Sequence, residues 1–235
     1  MMSSDILSIL AAIAGGIVPA LVWLWFWLRE DSRHPEPRRL IALAFIAGMC
    51  TVAIAIPIEQ FVALFIHNQF FTFTAWSAIE ETLKFITALA VIFWRRDYDE
   101  PVDAVIYMIC IALGFSAVEN ALFLWNPSLS GTTLVQEIIT DNLRFVGATL
   151  IHVLSSATIG VSLALAFYKP RTVKILYALS GVILAILLHS AFNFLILHTP
   201  QADMLRTFVF VWIGVVVLLA ALEFVKRIHP HRARR

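Results

Sequence analysis

Charge is scarce in this 235-residue chain: Asp, Glu, Lys and Arg together make up 14% of it. A soluble domain carries about a quarter charged residues, so an ordinary water-facing surface cannot be built from this composition. Cysteine is scarcer still. Cys50 and Cys110 both fall inside apolar runs, which argues against a disulfide framework. Neither sign of charge is in excess, since 17 basic against 16 acidic residues leave a formal net charge of +1. That excludes a nucleic-acid partner, which needs a basic surface for its phosphates. The chain also lacks low-complexity tracts and any detectable internal repeat, and it is expected to form one domain over 1–235.

What the chain has is apolar length. Residues of the AVILMFWYC set make up 60% of it, and the mean hydropathy is +0.86. About 20 apolar residues in a helix cross ~30 Å of hydrocarbon. Segments of that kind occupy 5–28, 39–66, 70–94, 102–126, 144–168, 173–198 and 204–226. The breaks between them are polar or carry proline, and 132–143 reads as an amphipathic interfacial helix leading into the fifth span. The expected fold class is all-α: a polytopic membrane helical bundle of seven transmembrane helices, with the lipid bilayer as its solvent. The first segment has no basic stretch before it, so it reads as a retained span and not as a signal peptide.

Arg and Lys orient the bundle. Fourteen of the 17 basic residues lie in loops 29–39, 95–101 and 168–175 or in the tail after the last span, all on one side if there are seven spans. Arg144 and Arg206 lie on the other side, and Lys84 is inside a span. By the positive-inside rule the tail is cytoplasmic and the N-terminus is outside. Trp23, Trp25, Trp27 and Trp94 would then form an inner aromatic belt, with Trp125 at the outer interface.

Ionisable residues inside the spans cost a few kcal/mol each and demand a reason. Span three holds Glu80, Glu81 and Lys84; span four holds Glu119 and Asn120; span five holds His152; span six holds His189 and Asn193. Counted from the outer end of each span, Glu80, Glu119, His152 and His189 lie about seven to ten residues in, roughly 10–15 Å deep. Four helices of alternating direction thus place polar groups in one layer. The pairs Glu80/Lys84, His152/Ser156 and His189/Asn193 are i, i+4 neighbours that share a face. Such a layer suits a hydrolytic site, a proton relay or an ion path. Lys84 reads as the neutralising partner of the two glutamates, Ser155 and Ser156 as helix-packing residues, and Glu59 as interfacial or functional.

These motifs resemble those of the PrsW-type intramembrane proteases, a family akin to the CAAX prenyl proteases and the abortive-infection (CPBP) membrane proteins. Glu80-Glu81-Thr82-Leu83-Lys84 matches the EExxK motif, and Phe115 through Glu119 and Asn120 matches Phe-x-x-x-Glu-Asn after Gly114. His152 stands for the lone histidine before a small-residue helix, and His189 with Asn193 for His-x-x-x-Asn. The likeness runs from about residue 20 to 195. Its main departure is Ala104, where glycine is expected after Asp103. The resemblance implies peptide-bond hydrolysis in a membrane-anchored protein substrate, anti-sigma factors being among the family's targets. A catalytic set of Glu80, Glu81, Glu119, His152, His189 and Asn193 follows from it. Glu80 would take a proton from water, a histidine would carry it to the leaving amine, and Asn193 would support the oxyanion. Alternatively His152, His189 and Glu119 would bind a divalent metal such as zinc, with Glu80 still the base. The absence of an HExxH pair favours the metal-free form, which requires no cofactor.

Two readings from other classes stand beside it: a non-catalytic membrane scaffold of the same fold, and a proton- or ion-coupled transporter. An intact Glu pair and both histidines speak against the first, and unbroken spans without inverted repeats against the second. With the polar layer in the outer half of the bilayer, a protease would cut single-span substrates near the outer end of their helix.

Overall fold

The computed structural model describes residues 2–30, 35–125, 134–198 and 204–229. Loop 126–131 and the basic residues from 230 onward lie outside this set, as do the side chains of Arg144 and Arg206. Seven helices and no strand occur among the described residues: α1 (Met2–Glu30), α2 (Arg38–Ala63), α3 (Gln69–Val91), α4 (Pro101–Trp125), α5 (Leu134–Leu165), α6 (Arg171–His198) and α7 (Met204–Val225). They coincide with the seven expected spans, and the protein is a polytopic helical membrane protein.

One boundary differs. α5 runs 32 residues without interruption, about 48 Å, so the stretch expected as a separate interfacial helix is continuous with the fifth span from Leu134 onward. Nothing between Leu134 and Phe145 breaks a helix, neither Gly nor Pro. Five helices (α1, α2, α4, α5 and α6) are long and apolar enough to cross a membrane. α3 falls outside that set because Glu80, Glu81 and Lys84 sit within its apolar length.

α4 is the axis of the bundle. It is buried from Pro101 through Ala117, and it packs against α5, α1 and α2. Close approach explains its glycine. A Cβ on Gly114 would collide with the Phe45 carbonyl oxygen of α2, and one on Gly48 of α2 with the Ile111 carbonyl oxygen of α4. The two helices therefore cross backbone to backbone, the small-residue packing that membrane helices use where no hydrophobic force drives association. Gly160 of α5 is pressed against Ala104 and Val105 in the same way.

α3 lies between α2 and α6 and also touches α4 and α5. Asn68 starts it, its side-chain oxygen accepting from the Phe70 and Phe71 N–H groups, which otherwise lack helical partners. Side-chain hydrogen bonds set its rotation: Thr51 to Thr87 at 2.8 Å towards α2, and Asn193 to Ser77 at 3.3 Å towards α6.

The end of the bundle that carries loops 29–39 and 95–101 is also tied together. Asp103 accepts from the N–H groups of Asp99 and Glu100, both at 2.8 Å, closing the first turn of α4. The Tyr107 hydroxyl donates to Glu36, just ahead of α2. Burial holds the Tyr98 phenol above its ordinary range, with the Asp103 carboxylate adding to the shift. Trp94 is exposed as a belt residue should be, but Trp27 is buried in the core, because it faces the helix bundle and not the lipid.

Candidate active site

Three helices, α3, α5 and α6, bring their polar groups to one buried point. Glu80, Glu81, His152 and His189 each offer a donor atom, and these atoms all lie within 4.8 Å of one another. All four residues are buried. Lys84 reaches the same point from one turn further along α3. Its ammonium is 2.7 Å from His152 Nδ1, 2.8 Å from Glu81 Oε1 and 3.3 Å from Glu80 Oε2. It also sits 4.2 Å from the centroid of the Phe115 ring, a cation–π contact.

The donors decide the protonation pattern of His152. An ammonium can only donate, so Nδ1 of His152 is an unprotonated acceptor. Nε2 then carries the hydrogen and donates to Glu119 Oε2 at 2.6 Å. Glu119 thus stands behind His152 and fixes its tautomer. His189 is held differently: its Nδ1–H donates to Glu81 Oε1 at 3.0 Å, and the two imidazoles meet edge to face, 4.8 Å apart. No partner binds His189 Nε2 among the described residues.

The adjacent glutamates differ sharply. Glu81 accepts from Lys84, from His189 and, through Oε2, from the Ser156 hydroxyl at 2.8 Å. Glu80 accepts the longer Lys84 hydrogen bond through Oε2, which also lies 3.5 Å from His152 Nδ1 and 3.9 Å from His189 Nδ1, and its Oε1 has no hydrogen bond among the described residues. Helix geometry produces this, since neighbours on α3 point about 100° apart and only one can face α6 squarely.

Of the residues expected at the site, Glu80, Glu81, His152 and His189 form the buried group. Glu119 adjoins it from outside, its side chain 42% exposed against 6% for Glu80. It is therefore not one of the four clustered donors, although the expected metal set included it and omitted the glutamate pair. Asn193 lies one turn outward of His189 and donates one of its two N–H groups to Ser77 Oγ. Asn120 faces elsewhere, bonding Ser116 and Thr149 across the α4–α5 seam. Ser156 corrects its reading as a packing residue, because it hydrogen-bonds the buried carboxylate. Its i, i+4 spacing from His152 was the signal. Ser155 Oγ is buried with no partner and does behave as a packing group. Glu59 lies near the end of α2, where its backbone carbonyl accepts from Trp76 Nε1 at 3.3 Å.

Two carboxylates and two imidazoles form a donor set that zinc accepts. Glu119 behind His152 supplies the backing carboxylate that metal-bound histidines commonly have. The Lys84 ammonium already stands in for a cation among these donors. The residues present therefore fit a divalent ion.

A bundle of membrane-crossing helices around a buried Glu–His–Lys cluster defines a polytopic membrane protein with a candidate hydrolytic centre. The family model for "PrsW family intramembrane metalloprotease" matches residues 36–222, and the chain belongs to that family. Among curated proteins it is similar to "Protease PrsW" of Bacillus subtilis (strain 168), 24% identical over 214 residues covering 86% of this chain and 91% of the relative. "Protease PrsW" of Oceanobacillus iheyensis is 28% identical over 209 residues, covering 87% and 92%. That of Clostridioides difficile (strain 630) is 24% identical over 189 residues, 77% of each chain. No solved structure matches. The chain is a peptidase and a multi-pass integral protein of the plasma membrane.

Proposed function

We propose that the chain, acting as one domain, hydrolyses a peptide bond of a membrane-anchored protein in or beside the bilayer, with Glu80 as the base that activates water. The observation that carries this reading is the contrast between the two glutamates. Glu81 accepts from Lys84, His189 and Ser156 and is fixed in place, whereas Glu80 Oε1 has no hydrogen bond among the described residues and can receive a proton. As water attacks the carbonyl carbon, its proton passes to Glu80 Oε1. His189 Nε2, which has no hydrogen-bond partner among the described residues, takes that proton from Glu80 and passes it to the amide nitrogen as the C–N bond breaks, so both groups end in their starting state. His152, engaged at both nitrogens, orients the group instead. The second N–H of Asn193 is the donor for the developing oxyanion.

A divalent ion, if bound, would be held by Glu81, His152 and His189, and would polarise the carbonyl and acidify a bound water while Glu80 remains the base. The family's description favours that arrangement over the metal-free form. The order of the four motifs supports kinship with the CAAX prenyl proteases and CPBP proteins. Membrane-anchored regulators of the anti-sigma-factor type are the substrate class the resemblance supports.

Basic loops on the cytoplasmic side put the cluster nearer the outer surface, so the cut falls near the outer end of the substrate helix. The test is to reconstitute the full chain in liposomes with a panel of single-span proteins and map fragments by mass spectrometry. Cuts within the outer third of the helix or the adjoining stalk are expected. Cuts confined to the cytoplasmic half would overturn the orientation, and no cleavage of any substrate would overturn the activity.

A further inference from the structure

Lys84 is charged, fully buried, and placed among the residues that a metal would need. Its ammonium touches three of the four donor residues, Glu80, Glu81 and His152, at 2.7–3.3 Å. A zinc ion needs donors at roughly 2.0–2.2 Å, which puts tetrahedral donors roughly 3.4 Å from each other. The four here spread to 4.8 Å around the ammonium. The Glu81 Oε1 and His152 Nδ1 lone pairs are already directed at Lys84. An ammonium and a divalent ion cannot share those lone pairs, and two cations within a few ångströms in a low-dielectric interior repel strongly.

Resting on the reading that this cluster is the active site, we propose that Lys84 is an internal cation that competes with metal for the site. Without metal its ammonium holds the two carboxylates and His152 together. When metal binds, the ammonium leaves Glu81 and His152 and stays against the Phe115 ring, which it already meets at 4.2 Å. The donors then close by about an ångström. The protein is thereby folded and electrostatically balanced before loading, and the cost of moving Lys84 sets its metal affinity. The arrangement also explains a lysine at i+3 and i+4 from two glutamates inside a span, where a permanent ion would make a fixed ammonium redundant.

The test compares the full-length protein with Lys84→Met, which keeps the length and removes the charge. Both are stripped with chelator in detergent and titrated with Co²⁺, whose visible absorption reports its ligands directly. Lys84→Met is expected to bind at least tenfold more tightly. Its metal-free form should melt lower than the wild type, and metal should raise its melting temperature by more. If the stripped variant does not survive, both proteins are prepared with Zn²⁺ and titrated with chelator, and the variant should release its metal at higher chelator concentration. Lys84→Arg keeps the competing charge and should bind no more tightly than wild type. Equal or weaker binding by Lys84→Met overturns the competition while leaving the metal site intact. Failure of both proteins to bind metal overturns the competition and the metal-dependent form of the mechanism together. Loss of the protease reading itself would show separately, as no cleavage by wild type in the liposome assay.

Discussion

α4 and α3 are neighbouring helices that solve opposite problems. α4 is buried through most of its length, is largely apolar, and is locked to α2 and α5 by contacts between backbones. α3 exposes Phe71, Ile86 and Leu89 yet buries Glu80, Glu81 and Lys84 on its other face. α4 makes the bundle possible, and α3 uses it as a wall against which charge can be kept dry. The backbone contacts of α4 set the shape of the bundle, and the charged group on α3 is balanced by its own partners within it. Removing a charge while keeping its hydrogen bonds should therefore spare the structure, and crowding α4 should destroy it.

The largest effect expected is from Gly114→Leu. Its side chain would have to enter the α2 backbone at Phe45, and overpacking at such a crossing exceeds the ~1–3 kcal/mol of ordinary core cases. Detergent extraction should yield aggregate, and a monodisperse variant would show that α4 is not the rigid member of the pair. On the α3 side, His189→Ala should lower cleavage by about 10²-fold or more while the protein still extracts intact. Retained activity would remove His189 as the proton carrier.

Ser156→Ala takes one of three donors from buried Glu81. A hydrogen bond to a charged group is worth about 1.5–3 kcal/mol, so roughly tenfold loss of activity with a measurable fall in melting temperature is expected. A silent result would restore Ser156 to a packing role. Glu119→Gln should be milder, a few-fold in rate, because its exposed amide still accepts the His152 hydrogen. Ser155→Ala should be smallest, within about 0.5 kcal/mol in stability, since its hydroxyl makes no hydrogen bond among the described residues.

The same contrast explains what could be read before the structure. Seven spans were legible because apolar length is a direct property of the chain. The clustering of Glu80, His152 and His189 was legible because each lies at a similar depth, and depth in a helix is simply residue count. Direction around each helix axis was harder. Ser156 shares a face with His152, but nothing in the chain says that this face meets Glu81. Glu119 could be read as a catalytic residue or as a metal ligand, and only packing puts it on the far nitrogen of His152. Trp27 has the composition of a belt residue and the rotation of a core one. The roles of Glu80 and Glu81 diverge through two donors from other helices, Ser156 and His189, which sequence spacing does not encode.

The most direct test of the account is cleavage by Glu80→Gln in liposomes, with a single-span substrate that the wild type cuts. Gln keeps the shape and an oxygen for Lys84, so extraction and melting temperature should stay near wild type, within about 1 kcal/mol. The account predicts that this folded variant cleaves at least 10³-fold more slowly. Cleavage at the wild-type rate would contradict it, because the Glu80 carboxylate would then have no part in activating water.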